Sequence, residues 1–369
     1  MTDGYRPTWV EVDLGAIREN ARTLKPESAE LMAVVKANGY GHGDVEVARA
    51  AIEGGAMWMG VALVEEGLRL RGAGIEVPIL VLSELPDGSE AVALAHRLTP
   101  TLYSDAGLGR LSAAARGSMP VHVKIDTGMH RVGVWPPEDA PAFAGRIEEA
   151  GLEVEGLFTH FARSEEDEVT TKEQLARFLE AADAVRSAGV IPRLLHAANS
   201  GATILYSETH LDLVRPGIAL YGIEPSPGVG AGLGLRPALT WRSQVSAVKR
   251  LAAGEAISYG HRYRLKRDAW VATVPVGYAD GYPRQLTNVG EALIGGRRCP
   301  VAGTVTMDQL VVDCGDLEVR SGDEVVLLGR QGAEEVSAWE LAGLADTIAY
   351  EIVTRIGQRV PRVYQGDGA

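Results

Sequence analysis

From about residue 31 to residue 215, short runs rich in Val, Leu and Ile alternate with longer stretches of helical period. Eight runs recur, at residues 31–35, 57–61, 78–82, 98–103, 121–125, 154–159, 192–195 and 211–214. Continuous apolar runs of this length, spaced by segments long enough for a crossover helix, mark parallel strands buried on both faces. Eight of them predict an α/β architecture, a (β/α)8 barrel of the TIM type.

After about residue 236 the texture changes. Short apolar or alternating segments at 244–251, 270–276, 310–314 and 324–328, separated by Gly and Asp turns, predict a mainly-β domain. Helical patterns close it near 338–345 and 348–355. The Pro- and Gly-rich segment 225–230 marks a hinge. The expected organisation is therefore a barrel over residues 1–235 and a mainly-β domain over 236–369, with the extreme N-terminal strand packing on the second domain.

With 369 residues and 46% hydrophobic content, the chain can bury a core of that size. A formal charge of -13 repels nucleic-acid backbones and anionic membrane surfaces, and no apolar stretch is long enough to span a bilayer. Residues 1–7 are polar and lack the apolar core of a secretion signal. The two cysteines, Cys299 and Cys314, have no CxxC spacing, which speaks against a disulfide framework or a zinc site and suits core positions in a reducing compartment. A cytoplasmic protein acting on small molecules, without a metal, is the expectation.

The first run leads into AVVKANGYGHG at 33–43, which puts Lys36 at the carboxyl end of a buried strand, the face where barrels keep their active sites. Desolvation there lowers a lysine pKa and frees the neutral amine to condense with an aldehyde. The following glycines let backbone N–H groups approach an anion. In VHVKIDTGMHRVG at 121–133, period-two alternation places His122, Lys124 and Asp126 on one strand face, read as the barrel interior. A buried Lys124 needs an anionic partner or a modification, and Arg131 offers a fork suited to a carboxylate. His160 in GLFTHF and Arg215 in LDLVRPGI each stand at a strand end. Ser200 in HAANSG is placed to open a helix, either as a phosphate ligand or simply as a cap.

These segments, in this order, resemble the alanine racemase family, and the resemblance runs from WVEVDL at 9–14 to RVPR at 359–362. It implies that Lys36 holds pyridoxal 5′-phosphate covalently and exchanges the α-proton on the D-alanine face. Tyr40, Ser200, Tyr350 and the backbone N–H groups near Gly217 and Ile218 would hold the phosphate. Arg215 would face the pyridine nitrogen and His160 would contact Arg215. An always-charged guanidinium there disfavours ring protonation, weakens the electron sink and suppresses transamination. The lysine matching Lys124 is often carbamylated in the family, giving a carboxylate that orients the residue matching Arg131.

By the same resemblance, Tyr259 in AISYG is the second base, supplied by a partner subunit, and the backbone N–H of Met307 in TVTMDQ binds substrate carboxylate. A tyrosine base requires cationic neighbours, for which His160 and Arg215 are candidates. Thr306 stands where many relatives have Cys, which leaves the backbone contact intact. Tyr278 and Arg284 in VGYADGYPR would line the substrate entrance. The implied protein is a homodimer with shared active sites that makes D-alanine for peptidoglycan. Three other readings share parts of the pattern: a non-catalytic cofactor-binding barrel, a decarboxylase of basic amino acids, and a racemase for serine or another amino acid.

Overall fold

The computed structural model describes residues 6–366; of the polar N-terminal segment, residues 1–5 lie outside them. The chain divides into two compact units. One comprises residues 16–39 and 44–236; the other comprises, among the described residues, 6–15, Tyr40–Gly43 and 237–366.

The first unit is built on parallel strands: Glu30–Val34, Trp58–Val61, Ile79–Val81, Leu98–Thr99, Thr101–Leu102, Pro120–Lys124, Glu153–Phe158, Leu194–His196 and Leu213–Val214. They fall on the eight predicted runs, the fourth being split at Pro100, which has no N–H to give a ladder. The split separates a five-stranded from a four-stranded sheet, with parallel neighbours throughout. His122 N donates to Pro100 O at 2.9 Å and Asp212 N to Leu195 O at 3.0 Å, so the ring closes into a (β/α)8 barrel at both seams. Helices such as Asp44–Glu53, Val64–Gly72 and Glu168–Ser187 fill the crossovers. Residues of both strand faces are buried, as parallel barrel strands require: Val121, Val123 and Ile125 on one face and His122, Lys124 and Asp126 on the other.

The second unit is mainly β. Its larger sheet orders Arg297–Pro300, Glu291–Ile294, Glu324–Gln331, Leu239–Gln244, Thr8–Asp13 and Arg362–Gln365, and Glu334–Val336 pairs with Glu324–Gln331. The N-terminal strand Thr8–Asp13 thus lies between Leu239–Gln244, antiparallel, and Arg362–Gln365, parallel. A three-stranded sheet holds Ala247–Leu251, Ala269–Val274 and Leu310–Gly315. Of the predicted strand at 244–251, Ala247–Leu251 form a strand while Gln244 ends Leu239–Gln244 in the other sheet, because the chain turns at Val245–Ser246, where Val245 N bonds Asp323 O and Ser246 N bonds Thr273 O. Helices Ala338–Ala345 and Ala349–Thr354 stand where helical period predicts them.

Candidate active site

Lys36 directly follows the first barrel strand, and the turn it opens is left-handed. Ala37, Asn38, Gly39 and Tyr40 have φ of 53°, 55°, 58° and 50°. For non-glycine residues this conformation costs roughly 1–2 kcal/mol each, so something must hold it. Gly39 N bonds Val35 O at 2.8 Å, and the Glu66 carboxylate, itself buried, accepts from Ala37 N at 2.7 Å, Ala62 N at 2.8 Å and Leu63 N at 3.2 Å. Glu66 was not singled out in the sequence; a glutamate three residues into a helix normally caps that helix alone.

Around Lys36 the barrel's carboxyl face is cationic. Burial holds the Lys36 amine below the usual lysine range, with the positive charge of Arg131 adding to the effect and Glu66 opposing it. Burial also brings Lys124 down to about 8, helped by Arg131 and Arg215 and opposed by Asp126. The Asp126 carboxylate already accepts from Gly128 N at 2.9 Å and His130 N at 3.0 Å, ordering the turn that leads to the exposed Arg131. Lys124 Nζ and Arg215 Cζ lie 5.6 and 5.4 Å from the centre of the Phe158 ring, which stacks on His196 at 4.8 Å and 6°. Buried Lys124 and Arg215, half-buried Lys36 and exposed Arg131 share two carboxylates, Glu66 and Asp126, that are both hydrogen-bonded to backbone, and such a site calls for anions.

Arg215 is fully enclosed and held by three acceptors: His196 Nδ1 at 2.8 Å, Thr159 O at 2.7 Å and Ala197 O at 3.0 Å. The hydrogen bond expected between Arg215 and His160 is not found among the described residues; the ring that Arg215 reaches is His196. His160 is partly buried and lies in the field of Arg215, which, after burial, is the largest influence holding it neutral. Behind His196, Nε2 meets His122 Nδ1 at 2.8 Å, and His122 Nε2 points at Glu155 Oε2, 3.5 Å away. Burial holds both imidazoles below their ordinary range. His122 was visible on the polar face of its strand, whereas nothing local to His196 announces a role: its partner Arg215 is set by the closing of the barrel.

Asn199, not Ser200, caps helix Ser200–Leu205, accepting from Ala202 N at 3.0 Å. That leaves the Ser200 hydroxyl free of capping duty, and it accepts from Gly217 N at 2.9 Å and Ala219 N at 3.3 Å. Ser200, Gly217 and the buried Ile218 are therefore neighbours, a hydroxyl and backbone N–H groups gathered at one place.

In the second unit, Tyr40 and Tyr350 stand with ring centres 6.3 Å apart, and burial pushes Tyr40 up to about 12, keeping it a hydrogen-bond donor. Tyr259 is 74% and Met307 52% exposed, unusual for such side chains. Their segments are stitched together: Thr304 Oγ1 donates to Tyr259 O at 2.8 Å and Ser258 Oγ to Thr304 O at 2.7 Å. Between them opens a cavity of about 480 Å3 lined by Ser258, Tyr259, Gly260, His261, Thr306 and Gln309, among others. Tyr278 N and Ala279 N each donate at 3.0 Å, to Thr306 O and Met307 O, fixing the Met307 backbone. Tyr278 and Arg284 are both exposed. No group of side chains suited to a metal occurs among the described residues.

The chain matches known proteins over nearly its whole length. Residues 12–225 match the family model of the alanine racemase N-terminal domain and residues 238–364 that of the C-terminal domain. An alanine racemase of Symbiobacterium thermophilum is 52% identical over 379 residues, covering 100% of this chain and 99% of the relative. One of Carboxydothermus hydrogenoformans is 45% identical, covering 97% and 100%. Among solved structures, alanine racemase from Streptomyces lavendulae superposes with a TM-score of 0.93 at 42% identity, covering 99% of this chain and 98% of that one. The Bacillus anthracis alanine racemase with bound L-Ala-P also gives 0.93, at 39% identity, covering 100% and 97%.

Proposed function

The chain belongs to the alanine racemase family, and from that premise we propose that it interconverts L-alanine and D-alanine with pyridoxal 5′-phosphate bound at Lys36. The observation that carries the reading is the Lys36 amine, desolvated at a barrel strand end and held below its ordinary range among Lys124, Arg131 and Arg215. A neutral amine suits an aldehyde, and the surrounding cations suit a phosphate, a phenolate and a substrate carboxylate. The Ser200 hydroxyl, the N–H groups of Gly217 and Ile218, and the hydroxyls of Tyr40 and Tyr350 would hold the phosphate.

When bound, the cofactor supplies an electron-withdrawing ring that acidifies the α-proton of an attached amino acid. The chain's residues then move that proton. Racemisation takes it from one face and returns one to the other, so two bases on opposite sides are needed. Lys36 serves the D face, and Tyr259 of a second copy serves the L face. The exposure of Tyr259 and Met307 supports a homodimer with shared sites, since both groups are presented outward with their backbones fixed. Arg131 and the Met307 N–H would hold the substrate carboxylate. Arg215 stays charged and has no carboxylate partner among the described residues, so it would leave the ring nitrogen unprotonated and limit side reactions. His160, beside this cation, completes the group. With a pKa of about 8, part of the Lys124 population is neutral and open to carbamylation, which would provide the anion missing between Lys124 and Arg131.

The D-alanine formed would feed peptidoglycan synthesis, in the cytoplasm, as the unpaired cysteines suit. No helix among the described residues is long and apolar enough to cross a membrane. The match to the C-terminal domain model and the outward Tyr259 disfavour a cofactor-binding barrel without turnover.

The test is α-proton exchange in deuterium oxide by the holoenzyme, with L-alanine, D-alanine and L-serine supplied separately. Alanine should invert and gain deuterium together, ahead of serine. Tyr259→Phe should lose exchange from L-alanine while D-alanine still exchanges through Lys36. Exchange of both enantiomers at the parental rate in Tyr259→Phe would remove Tyr259 as a base, and no exchange by the parent would remove the racemase reading.

A further inference from the structure

The two cysteines, separated along the chain, stand face to face in the β unit. Val301 and Val312 form an antiparallel bridge, and Ala302 N donates to Val311 O at 2.8 Å. The same register, carried two residues back, sets Cys299 of strand Arg297–Pro300 opposite Cys314 of strand Leu310–Gly315. Antiparallel ladders alternate between hydrogen-bonded and non-hydrogen-bonded pairs. Since Ala302–Val311 is of the first kind, Val301–Val312 and Cys299–Cys314 are of the second, in which Cα atoms lie roughly 4.5 Å apart and the side chains are closest. That spacing is within what a disulfide bridges. Both thiols are buried and unlinked, yet both line a cavity of about 500 Å3 together with Tyr263, Lys266, Arg267 and Arg297. A small polar oxidant therefore has a route to them. The strands that carry them continue into one hairpin, closed at its far end by Thr306 N bonding Gln309 O at 3.0 Å, so Met307 sits at the tip.

We propose that Cys299 and Cys314 form a redox-active dithiol that hydrogen peroxide closes to an intrachain disulfide at the base of the Met307 hairpin. Cys299 is the attacking sulfur. Contact with the Cys314 thiol, aided by Arg297, holds its thiol below the ordinary range, while the same contact and burial push Cys314 up. The Cys299 sulfur takes one peroxide oxygen as the O–O bond breaks, and the departing hydroxide leaves as water with the thiol proton. The Cys314 sulfur then attacks Cys299, forming the S–S bond and breaking the S–O bond, and its proton leaves with the second water. Two thiols are oxidised by one electron each, and one peroxide is reduced by two. The bridge pins the base of the hairpin and leaves its tip in place.

The experiment treats the holoenzyme with one equivalent of hydrogen peroxide, then counts thiols after denaturation and maps peptides without reduction. Both thiols should disappear together, one linked peptide pair should contain Cys299 and Cys314, and dithiothreitol should restore both. Amide hydrogen exchange across residues 300–313 should slow in the oxidised protein. In Cys314→Ala, Cys299 should stop at a sulfenic acid that dimedone traps, formed more slowly because the contact that favours its thiolate is gone. Two thiols that still titrate, unlinked sulfinic acid at Cys299, or a bridge between separate chains would overturn the proposal. None of these readouts requires alanine turnover, so the proposed racemase activity stands or falls separately.

Discussion

Arg215 donates to His196 Nδ1 at 2.8 Å, and that single bond fixes where the protons lie in the rings behind it. A guanidinium has only donors, so His196 must accept at Nδ1 and carry its proton on Nε2. His122 must then accept at Nδ1 and carry its own proton on Nε2, toward Glu155. Both rings are neutral in this arrangement, in keeping with burial holding them below the usual histidine range.

Breaking the relay at its first ring tests how far it positions Arg215. His196→Ala leaves a buried guanidinium without one of its three acceptors, which costs about 1–3 kcal/mol. The melting temperature should fall accordingly, and kcat should fall about tenfold or more with a smaller change in KM. Thermal denaturation and steady-state kinetics on the same preparation distinguish the two effects; an unchanged kcat would reduce His196 to a packing role.

Three buried or partly buried histidines, His122, His160 and His196, have folded-state pKa values below the ordinary one. Above about pH 6.5 they are neutral in both folded and unfolded chains and contribute no pH dependence. Below it the unfolded chain takes up protons that the folded one refuses, so stability declines as pH falls, by up to about 1.4 kcal/mol per pH unit for each histidine. Melting curves from pH 7 to 5 should show this decline steepening below about pH 6.5, and His160→Gln should make it shallower.

A Cβ on Gly277 would lie 2.3 Å from both Thr306 O and Met307 O. Gly277→Ala must therefore push the Met307 segment away, against the bonds from Tyr278 N and Ala279 N. The expected outcome is a KM for alanine raised several-fold, with a stability loss of about 1–3 kcal/mol from overpacking. Kinetics and thermal denaturation read the two separately.

Lys124, with a pKa of about 8, should be carbamylated to a degree that follows bicarbonate and rises as pH approaches that value. Native mass spectrometry should show the added carboxyl group, lost in Lys124→Ala and in protein held free of carbon dioxide. Activity should fall with it.

Much of this was legible because barrel strands are short, apolar and evenly spaced, so their pattern survives without neighbours. Lys36 and Lys124 could be chosen because a charge at the end of an apolar strand contradicts its surroundings, and Arg131 because its guanidinium fork suits a carboxylate and its segment resembles the family's. What failed to show were relationships across the fold. His196 looks like any strand-end histidine until the barrel brings Arg215 to it, and Glu66 looks like an ordinary first-turn glutamate until its carboxylate meets Ala37. Asn199 and Ser200 are adjacent and equally fit to cap, and only the position of Gly217 separates their roles. The 244–251 run took in the last residue of one strand and the whole of the next because apolar pattern does not mark the turn at Val245–Ser246.

The strand Thr8–Asp13 is made well before the partners it needs. Its two hydrogen-bonding neighbours, Leu239–Gln244 and Arg362–Gln365, both follow the barrel strands along the chain and so leave the ribosome after them. For most of translation this strand is an unpaired edge that must wait, while the barrel sequence between can already be folding. A fragment beginning near Pro237 would lack the strand that joins Leu239–Gln244 to Arg362–Gln365, so the β unit is not a separable module.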